Sequence, residues 1–200
     1  LCMSVVSCHC GLCKLVLQNP KPRLSLLCGC PDCRQALKWA ESQGARTPQI
    51  PPKLIYLDSD ITSVEGQSFM KACQLRELAS STRVHCTQCY SIIGVDHPAY
   101  VDNVFMIFSL HCQTDFPLTI EPAACLNVEN DLCVKQDEFH EIIPIFSNLE
   151  SEKERTRFTS IPEVNKTFTK RIQPVVGRKF SDIIRTLGPV EILNLSPVST

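Results

Sequence analysis

The sequence contains no run of about eighteen apolar residues, the length that a helix needs to span a membrane. Nor does it contain an N-terminal stretch that joins basic residues to a long apolar run, so nothing marks the chain for secretion. Glycine is scarce, with 7 of 200 residues, which excludes a collagen-like chain. The formal net charge is only −1, and non-specific nucleic-acid binding needs a basic excess. We therefore expect a globular protein with neither a membrane nor a nucleic acid as partner.

Cysteine, by contrast, is abundant, with 13 residues. An odd number of cysteines cannot pair completely within one chain, and the sequence shows no secretory signal. We therefore expect reduced thiols and predict a cytoplasmic, reducing compartment. A disulfide framework and buried thiols that serve only in packing are the alternatives.

The distribution of cysteine divides the chain into two parts. All the cysteines lie between Cys2 and Cys133, which predicts a zinc-binding β domain over residues 1–143 and a C-terminal extension over 144–200. In the first part, short runs rich in β-branched residues alternate with turn residues, as in a mostly β domain. The predicted strands are Lys14–Gln18, Leu24–Cys28, Lys53–Leu57, Thr82–His85, Tyr90–Val95 and Asn103–Phe108.

A short helix is predicted directly after the second cysteine motif. Pro31 and Asp32 are typical of a helix start, and Gly44 is typical of a stop. The extension contains two further predicted helices, and we expect both to pack on the core: Val164–Ile172, behind a capping box at Ser160–Glu163, and Phe180–Leu187, before a Gly-Pro pair.

The charged run Glu150–Arg157 precedes these two helices. Such a run is typical of a solvated helix face or of a linker. We assign it no function.

Eight of the 13 cysteines fall in three clusters, Cys8-His-Cys10-Gly-Leu-Cys13, Cys28-Gly-Cys30-Pro-Asp-Cys33 and Cys86-Thr-Gln-Cys89. Knuckles of this kind turn the backbone so that several thiolates converge on one tetrahedral Zn²⁺. Gly11 and Gly29 permit the tight turns that such knuckles demand. The remaining cysteines have no ligand spacing and are assigned to packing or to the surface: Cys2, Cys73, Cys112, Cys125 and Cys133.

Eight clustered cysteines permit two arrangements. Two closed Cys₄ sites would both be structural and would indicate a binding module. One Cys₄ site and one three-cysteine site would leave a coordination position open for water or a substrate thiolate, as catalysis requires. The count does not decide between them, because Cys13 could be either a ligand or a bystander.

Three segments together resemble the glutathione-dependent formaldehyde-activating enzyme family, which includes centromere protein V. They are Ser7-Cys-His-Cys-Gly11, Cys28-Gly-Cys-Pro-Asp-Cys-Arg34 and His85-Cys-Thr-Gln-Cys89, in the same order as in that family. The resemblance covers roughly residues 5–115. The chain departs from the family pattern at Tyr90, where glycine is usual, and at Cys13, where an ordinary strand residue is usual.

The resemblance implies a mostly β, Mss4-like fold of the β-tent type that holds two zinc ions. It implies a structural zinc on Cys8, Cys10, Cys86 and Cys89, and a second, open zinc site on Cys28, Cys30 and Cys33. The family acts as zinc-dependent carbon–sulfur lyases on glutathione adducts such as S-hydroxymethylglutathione. Glutathione would therefore be a co-substrate, and the partner a small-molecule thiol adduct.

Residues beside the second cluster suggest further roles. A zinc ion on three thiolates is a weak Lewis acid, which favours sulfur chemistry over water activation. The N-terminus of the predicted helix favours an anionic ligand there. Arg34 is a candidate contact for a substrate carboxylate, with a surface ion pair as its alternative, and Asp32 is a candidate proton shuttle, with helix capping as its alternative. For Tyr90 we expect core packing.

Two histidines, His9 and His85, adjoin the clustered cysteines. We expect neither to bind metal, because thiolates fill the tetrahedral sites.

The leading hypothesis is thus a zinc-dependent carbon–sulfur lyase. The first alternative is a non-enzymatic, zinc-stabilised protein-binding module with two structural sites. The second is a redox sensor in which Cys13 forms a disulfide with Cys28 or Cys30 and releases zinc. The sequence does not indicate the oligomeric state.

Overall fold

The computed structural model describes residues 3–18, 20–127, 143–170 and 175–197. Three residues named above lie outside these ranges: Cys2, Cys133 and the helix end predicted at Ile172.

Strands dominate the described residues. They are β1 (Met3–Cys8), β2 (Lys14–Gln18), β3 (Leu24–Cys28), β4 (Lys53–Asp58), β5 (Ile61–Glu65), β6 (Met70–Gln74), β7 (Thr82–Cys86), β8 (Ile92–Asp96), β9 (Val104–Phe108), β10 (Cys112–Thr114), β11 (Cys125–Leu126), β12 (Ile145–Phe146) and β13 (Glu191–Ile192). All six predicted strands are found, two of them with the predicted bounds. The prediction of a mostly β protein is confirmed.

The strands form two sheets. The smaller has the order β10-β1-β2-β5 and is antiparallel. The larger has the order β12-β11-β3-β4-β9-β8-β7-β6-β13. Its middle strands are antiparallel, whereas β11, β12 and β13 join in parallel. These three parallel strands are only two residues long, and the sequence pattern did not predict them.

Successive side chains of a strand point to opposite faces of the sheet, and both faces of the larger sheet are buried. On β4, Leu54 and Tyr56 pack on the side of the first helix, whereas Ile55 and Leu57 pack towards the smaller sheet. A strand covered on both faces consists almost entirely of apolar residues, as this one does. The molecule therefore has three layers: helix, large sheet and small sheet.

The first helix, α1 (Pro31–Ser42), was predicted correctly. Its buried side chains are Cys33, Ala36, Leu37 and Ala40, which have helical spacing and form one stripe against the large sheet. Gly44, with φ of 110°, follows the helix end, as predicted.

The described part of the extension contains three helices, not two: α2 (Glu152–Thr159), α3 (Pro162–Thr169) and α4 (Phe180–Thr186). Most of the charged run is helical, and Phe158, the residue that follows the run, is the buried residue of α2. The predicted capping box does not form. The Ser160 hydroxyl instead donates to the Arg157 carbonyl at 2.6 Å, and α3 begins after Ile161, which makes no side-chain cap.

The extension packs on both sides of the large sheet. Val164 of α3 belongs to the core beneath α1, while Phe180 and Ile183 of α4 belong to the core between the sheets. Two short helical turns, Gln67–Phe69 and Pro98–Tyr100, complete the described elements. Within the described ranges, no helix has the length and apolar character to cross a membrane.

Candidate metal centres

Four cysteines from two distant parts of the chain meet at one end of the sheets. Cys8 ends β1, Cys10 lies in the turn after it, Cys86 ends β7, and Cys89 lies in the following turn. Their four Sγ atoms all lie within 4.8 Å of one another. The Sγ of Cys10 is 3.4 Å from that of Cys8 and 3.8 Å from that of Cys86. Tetrahedral Zn–S bonds of about 2.3 Å place sulfurs about 3.8 Å apart, so this group fits a zinc ion.

A backbone amide donates to the first sulfur of each knuckle. The Cys13 amide donates to Cys8 Sγ at 3.3 Å, and the Gln88 amide donates to Cys86 Sγ at 3.4 Å. Such donors stabilise thiolates, which are the form that binds metal.

The turns that close the two knuckles both use left-handed backbone. Gly11 has a φ of 78°, as its predicted role requires. Tyr90 has a φ of 54°, so a non-glycine residue adopts the conformation that favours glycine. Gly29, in contrast, has no positive φ.

The thiol of Cys89 is the most acidic of the first group. Burial acts to raise its pKa, but hydrogen bonds with Ser91 and Cys10 together outweigh burial and lower the pKa to about 6. The Oγ of Ser91 lies 3.3 Å from Cys89 Sγ. A lowered pKa favours the thiolate, which is the form that binds metal.

The second group consists of Cys28, Cys30 and Cys33, whose Sγ atoms also lie within 4.8 Å of one another. Cys28 ends β3, and Cys33 lies in the first turn of α1. Cys30 is the N-cap residue of α1, and its Sγ accepts a hydrogen bond from the Cys33 amide at 3.4 Å. The strand end and the helix start thus bring three thiols to the positive end of the helix dipole.

Hydrogen bonds within this group give the three thiols different pKa values. Hydrogen bonds from Cys28 and Cys33 lower the pKa of Cys30 well below its usual value. The same hydrogen bonds, together with burial, raise the pKa values of Cys28 and Cys33. Three thiols in this arrangement fit a tetrahedral metal with one position left for another ligand.

Cys13 does not belong to the second group. It is buried with Cys8 and Cys86 in the core between the sheets, whereas Cys28 and Cys33 belong to the core beneath α1. The Sγ of Cys13 lies 3.5 Å from the Phe69 carbonyl oxygen. Among the cysteines with described positions, the second group therefore has three members. A disulfide between Cys13 and Cys28 or Cys30 does not fit this placement.

Asp32 and Arg34, the two other candidates from the sequence, flank the second group. Asp32 Oδ1 accepts hydrogen bonds from both terminal nitrogens of Arg76 at 2.9 Å each, and Cys30 caps the helix in its place. Arg34 has a buried Nε with no hydrogen-bond partner among the described atoms.

The two histidines beside the clustered cysteines lie outside both groups of thiols. His9 is exposed and lies next to Gln113. His85 is buried, with its ring in edge contact with Trp39 of α1 at 5.0 Å and stacked on Tyr90 at 5.9 Å. The packing role expected of Tyr90 thus includes covering this histidine.

Sequence reasoning missed three residues around the second group. The side chains of Tyr56 and Tyr100 lie in edge contact, with ring centroids 5.4 Å apart, and the pKa of each is raised first by burial and further by Cys28 and Cys33 nearby. Arg83 is 2% exposed. An arginine in a strand is usually read as solvent-facing, so only the pairing of its strand could have revealed this position.

Comparison of the chain with known protein families, curated proteins and solved structures gave no significant match.

Proposed function

We propose that this protein is a zinc-dependent carbon–sulfur lyase of the glutathione-dependent formaldehyde-activating type. Its substrates would be adducts of glutathione or a related thiol, such as S-hydroxymethylglutathione. The observation that carries the proposal is that the two groups of thiols differ in the number of cysteines. Four cysteines can close one tetrahedral site, and three cysteines at a helix N-terminus leave one position for a substrate sulfur. The two-sheet core would correspond to the Mss4-like, β-tent fold.

The two groups would have different tasks. Cys8, Cys10, Cys86 and Cys89 would hold a structural zinc that joins the small sheet to the large one. Cys28, Cys30 and Cys33 would hold the second zinc, which when bound supplies a soft cation for a thiolate sulfur. The amides at the start of α1 would stabilise the negative charge that collects there.

In the reaction, the carbon–sulfur bond of the hydroxymethyl adduct breaks, the electron pair stays on sulfur, and the hydroxyl proton leaves as formaldehyde forms. In reverse, a thiolate attacks formaldehyde and the new alkoxide takes up a proton. Asp32 would carry this proton, and Arg34, with its unpartnered Nε, would contact a carboxylate of glutathione.

All eleven cysteines of the described ranges are free thiols. Free thiols and thiolate ligands are stable in a reducing compartment, which supports a cytoplasmic location as part of the proposal. A small-molecule thiol adduct would be the partner.

The test is the exchange between formaldehyde and its glutathione adduct, followed by NMR with ¹³C-formaldehyde. The zinc-loaded protein should accelerate the exchange, and Cys30→Ser should abolish the acceleration and lose one zinc. Serine at this position can still cap α1, so the fold should survive. Cys13→Ser is the matched control and should keep both zinc ions and the activity. A wild-type protein that binds two zinc ions without accelerating the exchange would overturn the proposal and favour a protein-binding module.

A further inference from the structure

Arg83 lies on the face of β7 that packs beneath α1. In the antiparallel pairing, Arg83 is opposite Val95 of β8, which belongs to the core under α1. Directly opposite residues in a sheet project to the same face. Val84, the next residue, belongs to the core on the other face. The Arg83 side chain therefore enters the layer that holds the second group of cysteines.

Its position along the strand brings Arg83 towards the start of α1. Arg83 is opposite Cys73 of β6, and Arg76, a few residues beyond Cys73, contacts Asp32 in the first turn of α1. His85, further along β7, contacts Trp39 near the other end of the helix. This order places Arg83 at the end of α1 where the three thiols lie.

Among the residues that the structure describes, the guanidinium of Arg83 is buried without a carboxylate partner. It is 2% exposed, and its one hydrogen bond to a described residue runs from Nη1 to the Ser81 carbonyl at 3.2 Å. Its Nε is buried and has no partner within the described ranges. Arg23, the other buried arginine of the described chain, pairs with Asp58 at 2.9 Å. A buried guanidinium without such a pair requires negative charge from another source.

The second group of cysteines supplies that charge. Cys28 and Cys33 are buried in the same layer beneath α1, at the end of the helix that Arg83 approaches. Three thiolates on a divalent metal carry a net charge of −1, which one arginine balances. A thiolate in the fourth position adds a second negative charge beside the same guanidinium, whereas a neutral ligand adds none.

We propose that Arg83 determines specificity at the three-cysteine centre by favouring an anionic fourth ligand, a thiolate, over a neutral one. The inference rests on the proposed function for the presence of a metal there. Arginine suits this role because it stays protonated at all relevant pH values and offers several donors.

The experiment replaces zinc by Co²⁺, whose absorption bands report the ligands at each centre. The full-length protein is titrated with 2-mercaptoethanol, and the concentration for half-saturation is compared between variants. Arg83→Gln should raise this concentration about tenfold or more, the loss typical of a charge-assisted contact. Arg83→Lys should restore most of the affinity. Arg185→Gln, which removes an exposed arginine of α4, is the control and should bind 2-mercaptoethanol like the wild type.

A second measurement needs no variant and covers the case in which Arg83→Gln does not fold. Wild-type Co²⁺ protein is titrated with azide, an anion, and with imidazole, a neutral ligand, and tighter binding of azide is expected. Tighter binding of imidazole would overturn the inference, as would an Arg83→Gln protein that folds and binds 2-mercaptoethanol like the wild type. The absence of any spectral response to 2-mercaptoethanol in the wild type would overturn it too.

The formaldehyde exchange assay separates this inference from the proposed function. Arg83-dependent binding of 2-mercaptoethanol without formaldehyde exchange would support the role of Arg83 and overturn the lyase. If formaldehyde exchange occurs and the binding of 2-mercaptoethanol does not depend on Arg83, only the inference is overturned.

Discussion

The Sγ atoms of Cys10 and Cys86 lie 3.8 Å apart, although 76 positions separate the two residues in the chain. This contact joins the turn after β1, in the small sheet, to the end of β7, in the large sheet. A metal bound here would cross-link the two sheets, and its binding free energy would add to the stability of the fold.

Replacement of one ligand of this group should therefore cost both metal and stability. We expect Cys10→Ser to lose one zinc ion per chain and to lower the melting temperature by about 5–10 °C, as a loss of a few kcal/mol would in a chain of this size. Elemental analysis and thermal unfolding measure the two effects. Cys112→Ser is the control, because Cys112 lies opposite Cys8 in the sheet but outside the group. A Cys10→Ser protein with two zinc ions would contradict the assignment.

Gly66 should be the least replaceable glycine near the first group. It has a φ of 69°, and a Cβ placed there would lie 1.8 Å from the carbonyl oxygen of Leu12 in the first knuckle. We expect Gly66→Ala to destabilise the protein by about 2–4 kcal/mol, because backbone strain and a steric clash add together.

Gly11→Ala separates the two contributions to this loss. Gly11 has a similar φ of 78°, but a Cβ added to it would meet no atom within 4 Å. Strain alone should cost about 1–2 kcal/mol. Chemical denaturation of both variants tests the difference, and equal losses would show that the contact with Leu12 relaxes freely.

Arg23 should anchor the C-terminal extension to the large sheet. Its guanidinium donates to Asp58 at 2.9 Å and to the carbonyls of Lys166 and Lys170 at the end of α3. We expect Arg23→Met to lower the free energy of unfolding by about 2–4 kcal/mol, since it removes buried charge-assisted hydrogen bonds. Urea denaturation provides the measurement.

Lys14→Met serves as the comparison for Arg23. Lys14 forms an ion pair with Glu65 at 2.8 Å, but both side chains are exposed. An exposed pair contributes less than about 1 kcal/mol. A loss in Arg23→Met no larger than this would show that α3 does not depend on the arginine.

His111 should make stability depend on pH. Its Nδ1 accepts a hydrogen bond from the Ile92 amide at 3.0 Å, and burial lowers the pKa of the ring to about 4. The unfolded chain, with a pKa of about 6.5, binds the proton more readily. The contribution of His111 is therefore complete above pH about 6.5 and is lost as the pH falls towards 4, amounting to about 3 kcal/mol.

The variant His111→Asn isolates this contribution. Its side-chain oxygen can accept the same amide hydrogen bond and does not titrate. As the pH is lowered from 7 to 4.5, the free energy of unfolding of the wild type should fall relative to that of the variant. Because acid also protonates the cysteine ligands of both proteins, only this difference is informative. A constant difference would show that His111 takes up a proton as readily in the folded protein as in the unfolded chain.

The sequence predicted the local features of the fold well. Strand and helix bounds follow from apolar alternation and from Pro31 and Gly44, which act within a few residues of themselves. The memberships of the two groups of thiols agree with the motif spacings.

Features that depend on distant contacts were missed. The two-residue strand β13 exists only because it lies beside β6. Arg83 became a candidate only once the pairing of β7 with β8 put it on the buried face opposite Val95. Ser160 met the rule for a capping box, but its hydroxyl bonds to the preceding helix instead.

The two outermost strands of the large sheet, β12 and β13, both come from the C-terminal extension. An edge strand offers unpaired amides and carbonyls to other chains, and very short strands offer few of them. The extension thus ends both sides of the sheet with strands of two residues each. Its consequence is protection from self-association: a chain cut before Ile145 would leave the five-residue strand β6 as an open template for aggregation.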